Sequence, residues 1–275
     1  MLNTKNKVLI QNKIEKIRNK KKKIFFKGLK TYNYSSFRAK CKNVKFVLNS
    51  IDQLSKGYIF VLKKSIKPNF LDNAKKKLEK FSKETKPINP KIKSGIKNGF
   101  YISKNLNSKG YKTVDKSFYF FSWNKDKPKI YKRIIEIYKP LKILNGLKNN
   151  EITKNKPKDG IIERLHIINY PLNSGQITRH YDPVNVSIFN FGLYATEYGI
   201  DYKDGGFFVL GKKNKKILLD KKIKKTDIVL FFPSIIHGVD KVKTTKLKKS
   251  DGRWFININH VQSHEIKDRE YTKKY

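Results

Sequence analysis

Between Ile161 and Val261 the sequence breaks into eight short apolar segments, most of them separated by turn residues. They are Ile161–Tyr170, Arg179–Asp182, Asn185–Tyr194, Gly206–Leu210, Lys216–Asp220, Asp227–Phe232, His237–Val242 and Arg253–Val261. Pro171 with Gly175, Asp204-Gly205-Gly206, Lys213-Asn214, Pro233-Ser234 and Asp251-Gly252 punctuate the series. Segments this short with strand-like periodicity predict a double-sheet jelly roll or barrel. Helical spacing is concentrated upstream, so the fold class is α+β, with helices packed outside one sheet.

Upstream of that series, Tyr58–Leu62 reads as a strand, and Leu71, Ala74, Leu78 and Phe81 predict a helix over Leu71–Phe81. Ile134, Ile135, Tyr138, Leu141 and Leu144 put an apolar stripe on Ile130–Leu147, which Pro140 kinks or splits. Residues 85–115 show no clear period and read as a long loop, and Asn149–Gly160 as a polar linker. Val8–Ile17 has loosely helical spacing ahead of the basic run Lys20–Lys23. It predicts a solvated or frayed helix, or else a docking arm for nucleic acid or a partner. The organisation is therefore a basic N-terminal extension (1–56), a helical and loop supporting region (57–160), a β core (161–262) and a C-terminal tail (263–275).

The formal charge is +42, from 64 basic and 22 acidic residues. The excess is 57 Lys and only 7 Arg, beside many Asn, Ile, Tyr and Phe, all with A/T-rich codons. Coding bias accounts for that mixture better than selection for phosphate, which favours the bidentate fork of Arg. Either origin predicts weak, salt-dependent polyanion binding. The distribution says more than the total. No Lys occurs from Asp159 to Tyr202, where the average frequency would place about nine. Burial excludes a solvated ammonium, so the functional core is expected in that window. The longest apolar run, Ile228–Ile236, is too short for a membrane span and contains Pro233 and Ser234. The first residues lack the apolar segment of a signal peptide, and Cys41 alone forms neither an internal disulfide nor a multi-Cys zinc site. A cytoplasmic protein without membrane attachment is expected. The sequence is silent on oligomeric state.

Three elements carry chemistry. In His180-Tyr181-Asp182 the imidazole and the carboxylate fall on the same face of a strand. Alone, this pair reads equally as a surface His beside an Asp. His237 follows the apolar strand Asp227–Phe232 and the turn Pro233-Ser234; alone, it reads equally as a satisfied core histidine. Arg253 opens the apolar strand Arg253–Val261, and a charge there requires a partner. Two His and one carboxylate with open positions make the facial triad of non-heme Fe(II) oxygenases, and an Arg behind it suits a carboxylate.

In motif order and spacing, Ile161–Val261 resembles the double-stranded β-helix core of the Fe(II)/2-oxoglutarate-dependent oxygenases. The order is H-x-D, a glycine pair before a strand (Asp204-Gly205-Gly206-Phe207), the distal His after Asp-Ile-Val-Leu-Phe-Phe-Pro-Ser, then Arg. Asn169-Tyr170-Pro171 through Arg179-His180-Tyr181-Asp182-Pro183, and Gly252-Arg253-Trp254, resemble the prolyl-hydroxylase-like branch. The resemblance implies a jelly-roll, cupin-like core with supporting N-terminal helices. It implies Fe(II) held by His180, Asp182 and His237, and 2-oxoglutarate held by Arg253 with Tyr170. Dioxygen is the third reactant, 2-oxoglutarate is decarboxylated to succinate, and a small molecule or protein side chain is hydroxylated. By strand parity, Arg164, His166 and Ile168 share the face of Tyr170, while Phe255, Asn257 and Asn259 share that of Arg253. His260 and His264 are given no role.

Two departures qualify the match. Phe255 stands where many members carry Ser, and Asn259 stands where the nucleic-acid demethylases carry a second Arg. Two alternatives remain at this point. One is a nucleic-acid-directed oxygenase (demethylase) or basic nucleic-acid-binding module; the other is a non-catalytic cupin-type barrel.

Overall fold

The computed structural model describes residues 4–18, 23–104, 111–184, 187–244, 252–267, 269 and 273–274. The chain begins with α1 (Thr4–Arg18), β1 (Gly28–Asn33), α2 (Tyr34–Lys40), α3 (Val44–Ser55), β2 (Tyr58–Lys63) and α4 (Pro68–Glu84). Its middle holds β3 (Gly99–Ser103), β4 (Thr113–Phe121) and α5 (Tyr131–Tyr138), which runs into a 3-10 helix at Lys139–Asn145. There follow β5 (Ile161–Tyr170), β6 (Gln176–Tyr181), β7 (Asn190–Tyr194), β8 (Asp204–Leu210), β9 (Lys216–Leu218), β10 (Ile228–Phe231), β11 (His237–Lys243), β12 (Arg253–Gln262) and β13 (Lys273–Lys274).

The eight strands expected from Ile161 onward are present as β5–β12, with their ends moved by a few residues. They divide into two antiparallel sheets. One has the order β5-β12-β7-β10; the other has β6-β11-β8-β9. This is the double-stranded β-helix. Neighbouring elements extend it: β2 pairs with β10, and β1 adds to β2 in parallel. The strand β4 joins the sheets, pairing with β5 through Lys116–Phe121 and with β6 at Thr113 and Val114.

Several expectations change. The region 85–115, read as one loop, contains β3 and the start of β4. The N-terminal helix is docked rather than frayed: Ile10 and Ile14 of α1 are buried in the main hydrophobic cluster. Helix α4 buries Leu71, Ala74, Leu78 and Phe81, as the spacing predicts. Pro140 does end α5, at the switch to the 3-10 turn. Asn185, Asp251 and Lys20–Lys22 lie outside the described residues. Cys41 is a free, buried thiol, and burial pushes its pKa up to about 12. Among the described residues no helix is long and apolar enough to cross a membrane.

One close approach locks the first sheet. Gly192 of β7 lies across from Asn257 of β12, and the ring of Phe255 covers it. A Cβ at Gly192 would lie 1.8 Å from Phe255 Cζ, so any side chain there displaces a ring that lines the central cavity. Overpacking of this kind costs about 1–3 kcal/mol. Gly192→Ala is expected to lose that much stability in urea unfolding. Combining it with Phe255→Ala should show a favourable interaction energy of about 1 kcal/mol or more. Strict additivity would contradict the packing described.

Candidate active site

The two sheets face each other across a cavity of about 500 Å³. His180 is the penultimate residue of β6 and His237 the first of β11, and the antiparallel register sets them directly opposite one another. Their ring centroids are 4.2 Å apart. Asp182 follows β6 by one residue. The ligand atoms of His180, Asp182 and His237 all lie within 4.8 Å of one another.

Each imidazole is oriented by its own backbone. His180 Nδ1 donates to Thr178 O at 2.8 Å, and His237 Nδ1 donates to Ile235 O at 2.7 Å. A carbonyl oxygen only accepts, so both Nδ1 atoms carry a proton, and the Nε2 atoms are left to face another partner. Burial, reinforced by His180, pushes the His237 pKa down to about 4 against the pull of Asp182. The ring is therefore neutral near pH 7, as a metal ligand must be. Asn190 Nδ2 donates to Asp182 Oδ2 at 2.9 Å and fixes the carboxylate. His237 Nε2 lies 3.7 Å from the same oxygen. Two imidazoles and one carboxylate, aimed at one point and each hydrogen-bonded from behind, fit a divalent metal of the Fe(II) type.

Arg253 lines the same cavity, opposite Tyr170 in the β5–β12 register. The sequence asked for its partner without identifying it. The partner is Asp220, 1% exposed, just past β9. Arg253 Nε donates to Asp220 Oδ2 at 2.7 Å and Nη2 to Oδ1 at 3.2 Å. Tyr194 and Tyr202 donate their hydroxyls to the same carboxylate at 2.7 and 2.5 Å. Burial opposes the guanidinium's charge, yet Asp220 with these hydroxyls holds its pKa above the ordinary value. Gly206, the second of the glycine pair, is what admits Asp220. It has φ +100°, and a Cβ there would lie 2.1 Å from Oδ2. Asp220 occupies one edge of the guanidinium, Nε with Nη2; a second edge, Nη1 with Nη2, has the geometry for another carboxylate.

Arg164, His166, Ile168, Phe255, Asn257 and Asn259 all line the cavity, and so do Ile258 and His260 of the opposite parity on β12. Sequence reasoning missed Asp115, which also lines it from within the supposed loop. Thr113 and Ser117 donate their hydroxyls to Asp115, whose pKa burial raises. Ser117 Oγ is also 2.9 Å from His166 Nε2. His260, given no role, belongs to a buried cluster in which Lys142 Nζ and Glu163 Oε2 are 2.5 Å apart and His260 Nε2 is 3.3 Å from the same oxygen. His264 accepts from the backbone N–H of Ile92.

No protein-family model matches this chain, and no curated protein does. Solved structures do match in shape. A prolyl-4-hydroxylase of Pseudomonas putida is 10% identical with a TM-score of 0.51, over 79% of this chain and 99% of its own. A Trichoplax adhaerens prolyl hydroxylase, solved with a hypoxia inducible factor oxygen degradation domain peptide, is 11% identical with a TM-score of 0.52, over 82% and 90%. At such identities the likeness is one of fold, and it agrees with the sheet order above.

Removing one member of a buried ion pair leaves the other charge uncompensated and costs about 3–5 kcal/mol. Asp220→Asn is expected to destabilise by that much in denaturant unfolding, and Asp220→Asn/Arg253→Met should recover most of it. A single-variant loss under about 1 kcal/mol would contradict the network's role.

Proposed function

We propose that this protein is an Fe(II)- and 2-oxoglutarate-dependent dioxygenase that hydroxylates a small molecule or a protein side chain. The observation that carries the reading is the convergence of the Nε2 atoms of His180 and His237 with the Asp182 carboxylate, in a cavity that also contains the Arg253 guanidinium. When bound, Fe(II) with 2-oxoglutarate and dioxygen supplies oxidative decarboxylation to succinate coupled to hydroxylation of a C–H bond.

The protein's contributions follow from its own groups. His180, His237 and Asp182 present three donors on one face and leave the facing positions open. Thr178 O, Ile235 O and Asn190 hold those donors in their productive orientation. Arg253, steadied by Asp220, offers its remaining edge to the distal carboxylate of 2-oxoglutarate, and Tyr170 stands opposite it in register. Phe207, Phe231, Ile168 and Val239 form apolar walls that exclude water from this end. The surface charge contributes weak polyanion binding, expected to disappear above roughly 0.3 M salt. Cytoplasmic residence stays part of the proposal.

The test is succinate release from 2-oxoglutarate with and without Fe(II). His180→Ala and Asp182→Ala are expected to abolish it with folding intact by circular dichroism. Arg253→Gln is expected to raise the KM for 2-oxoglutarate about 10–100-fold, the loss of a charge-assisted hydrogen-bonded pair. Iron-dependent succinate release that survives in His180→Ala would contradict the proposal.

A further inference from the structure

Of the arginines that line the cavity, Arg253 and Arg164 are in opposite electrostatic states. Arg253 is clamped by Asp220. Arg164, in the middle of β5, makes no side-chain ion pair or hydrogen bond among the described residues, and its Nε is buried without a partner. What supports it is the face of Tyr119, 5.0 Å from the guanidinium carbon. Burial pulls its pKa down against the opposing influence of Tyr119, Asp182 and Tyr111. A shielded charge without a counter-ion is costly and asks for a ligand.

Its neighbours repeat the pattern. Asn259 is register-paired with Arg164, and Asn257 with His166. The Oδ1 atoms of both Asn residues are buried and unpartnered. Three orphaned polar groups on two adjacent strands thus face one cavity. Local pairing does not explain them.

Their position excludes the carboxylate held at Arg253 as the missing partner. Arg164 lies six residues along β5 from Tyr170, the residue opposite Arg253. At strand rise that is about 20 Å. A five-carbon diacid is roughly 6–7 Å long. Asp182 acts electrostatically on Arg164, whereas the groups that set the Arg253 charge are Asp220, Tyr194 and Tyr202. Arg164 therefore stands beside the triad, at the end of the cavity away from Arg253.

We infer that Arg164, with Asn257 and Asn259, is the anchor of the substrate, and that the substrate carries a carboxylate. This deepens the dioxygenase reading and rests on it. A planar carboxylate matches the guanidinium fork, and the Asn257 and Asn259 Oδ1 atoms, which only accept, take N–H donors of the substrate beside it. One guanidinium, already within the field of Asp182, suits the single charge of a carboxylate better than a phosphate dianion. The carboxylate belongs either to a free small acid or to a peptide chain; a cavity of about 500 Å³ admits both a small molecule and a chain end.

The experiment uses full-length protein loaded with Mn(II) and 2-oxoglutarate, each titrated first by calorimetry. Failure of wild type to bind them refutes the dioxygenase reading and is seen before the anchor is probed. Thermal unfolding is then followed with the free L-amino acids against their α-amides, and with acetyl-hexaalanine bearing a free or an amidated C-terminus. The expected result is that at least one acid raises Tm more than its amide does. Which arm responds identifies the source of the carboxylate. Arg164→Met should erase the acid–amide difference, keep 2-oxoglutarate affinity within twofold and leave the unliganded Tm unchanged or higher. Arg164→Lys should retain part of the difference. No acid outperforming its amide overturns the inference, as does a difference that persists in Arg164→Met. An Arg164→Met protein whose unliganded Tm falls by many degrees would make Arg164 a structural residue and overturn it as well.

Discussion

The antiparallel pairing of β6 with β11 is the constraint on which the rest depends. It sets His180 opposite His237 without any help from the side chains. Each ring is then locked by a carbonyl two residues before it in its own chain. Because those bonds consume the Nδ1 protons, the Nε2 atoms must point into the space between the sheets. Asp182 completes the group because it lies just past the end of β6, where the chain has left the ladder. The chemistry is thus a by-product of register, provided that the register is held.

What holds it is an interior more polar than the composition of a core suggests. Arg253 and Asp220 form one buried pair, and Lys142 and Glu163 another. Each has further partners: Tyr194 and Tyr202 for the first, the Glu151 carbonyl and Thr153 for the Lys142 end of the second, whose Glu163 Oε1 stays without one among the described residues. Pairs of this kind contribute little net stability, but breaking either one is expensive. They restrict how the sheets can slide. Arg164 differs: its guanidinium lines the cavity and makes no side-chain hydrogen bond or ion pair among the described residues.

Much of this was legible in the sequence, for a physical reason. The eight core strands have both a buried face and short turns, so their pattern survives a lysine-rich composition. The Lys-free stretch from Asp159 to Tyr202 is β5, β6 and β7, where an ammonium would enter the cavity or the core. The illegible parts lie where that logic fails. In β4, Val114-Asp115-Lys116-Ser117 interrupts the apolar pattern because Asp115 and Ser117 face a polar cavity; the aromatic run Phe118–Phe121 was the available signal. β1 is a short strand at the end of the ladder whose Lys30 lies over Tyr58. Asp220 sits among lysines, and only its position directly after Ile217-Leu218-Leu219 marks it as buried. Lys142 could not be read as buried at all, because its partner Glu163 is distant in the chain.

The most direct measurement is an anaerobic titration of the apo-protein with Fe(II), followed by 2-oxoglutarate. The account predicts one tightly held iron per chain, 2-oxoglutarate binding that appears only after the iron is added, and loss of both in His237→Ala. Iron bound with equal affinity by His237→Ala, or 2-oxoglutarate bound without iron and independently of Arg253, would contradict it.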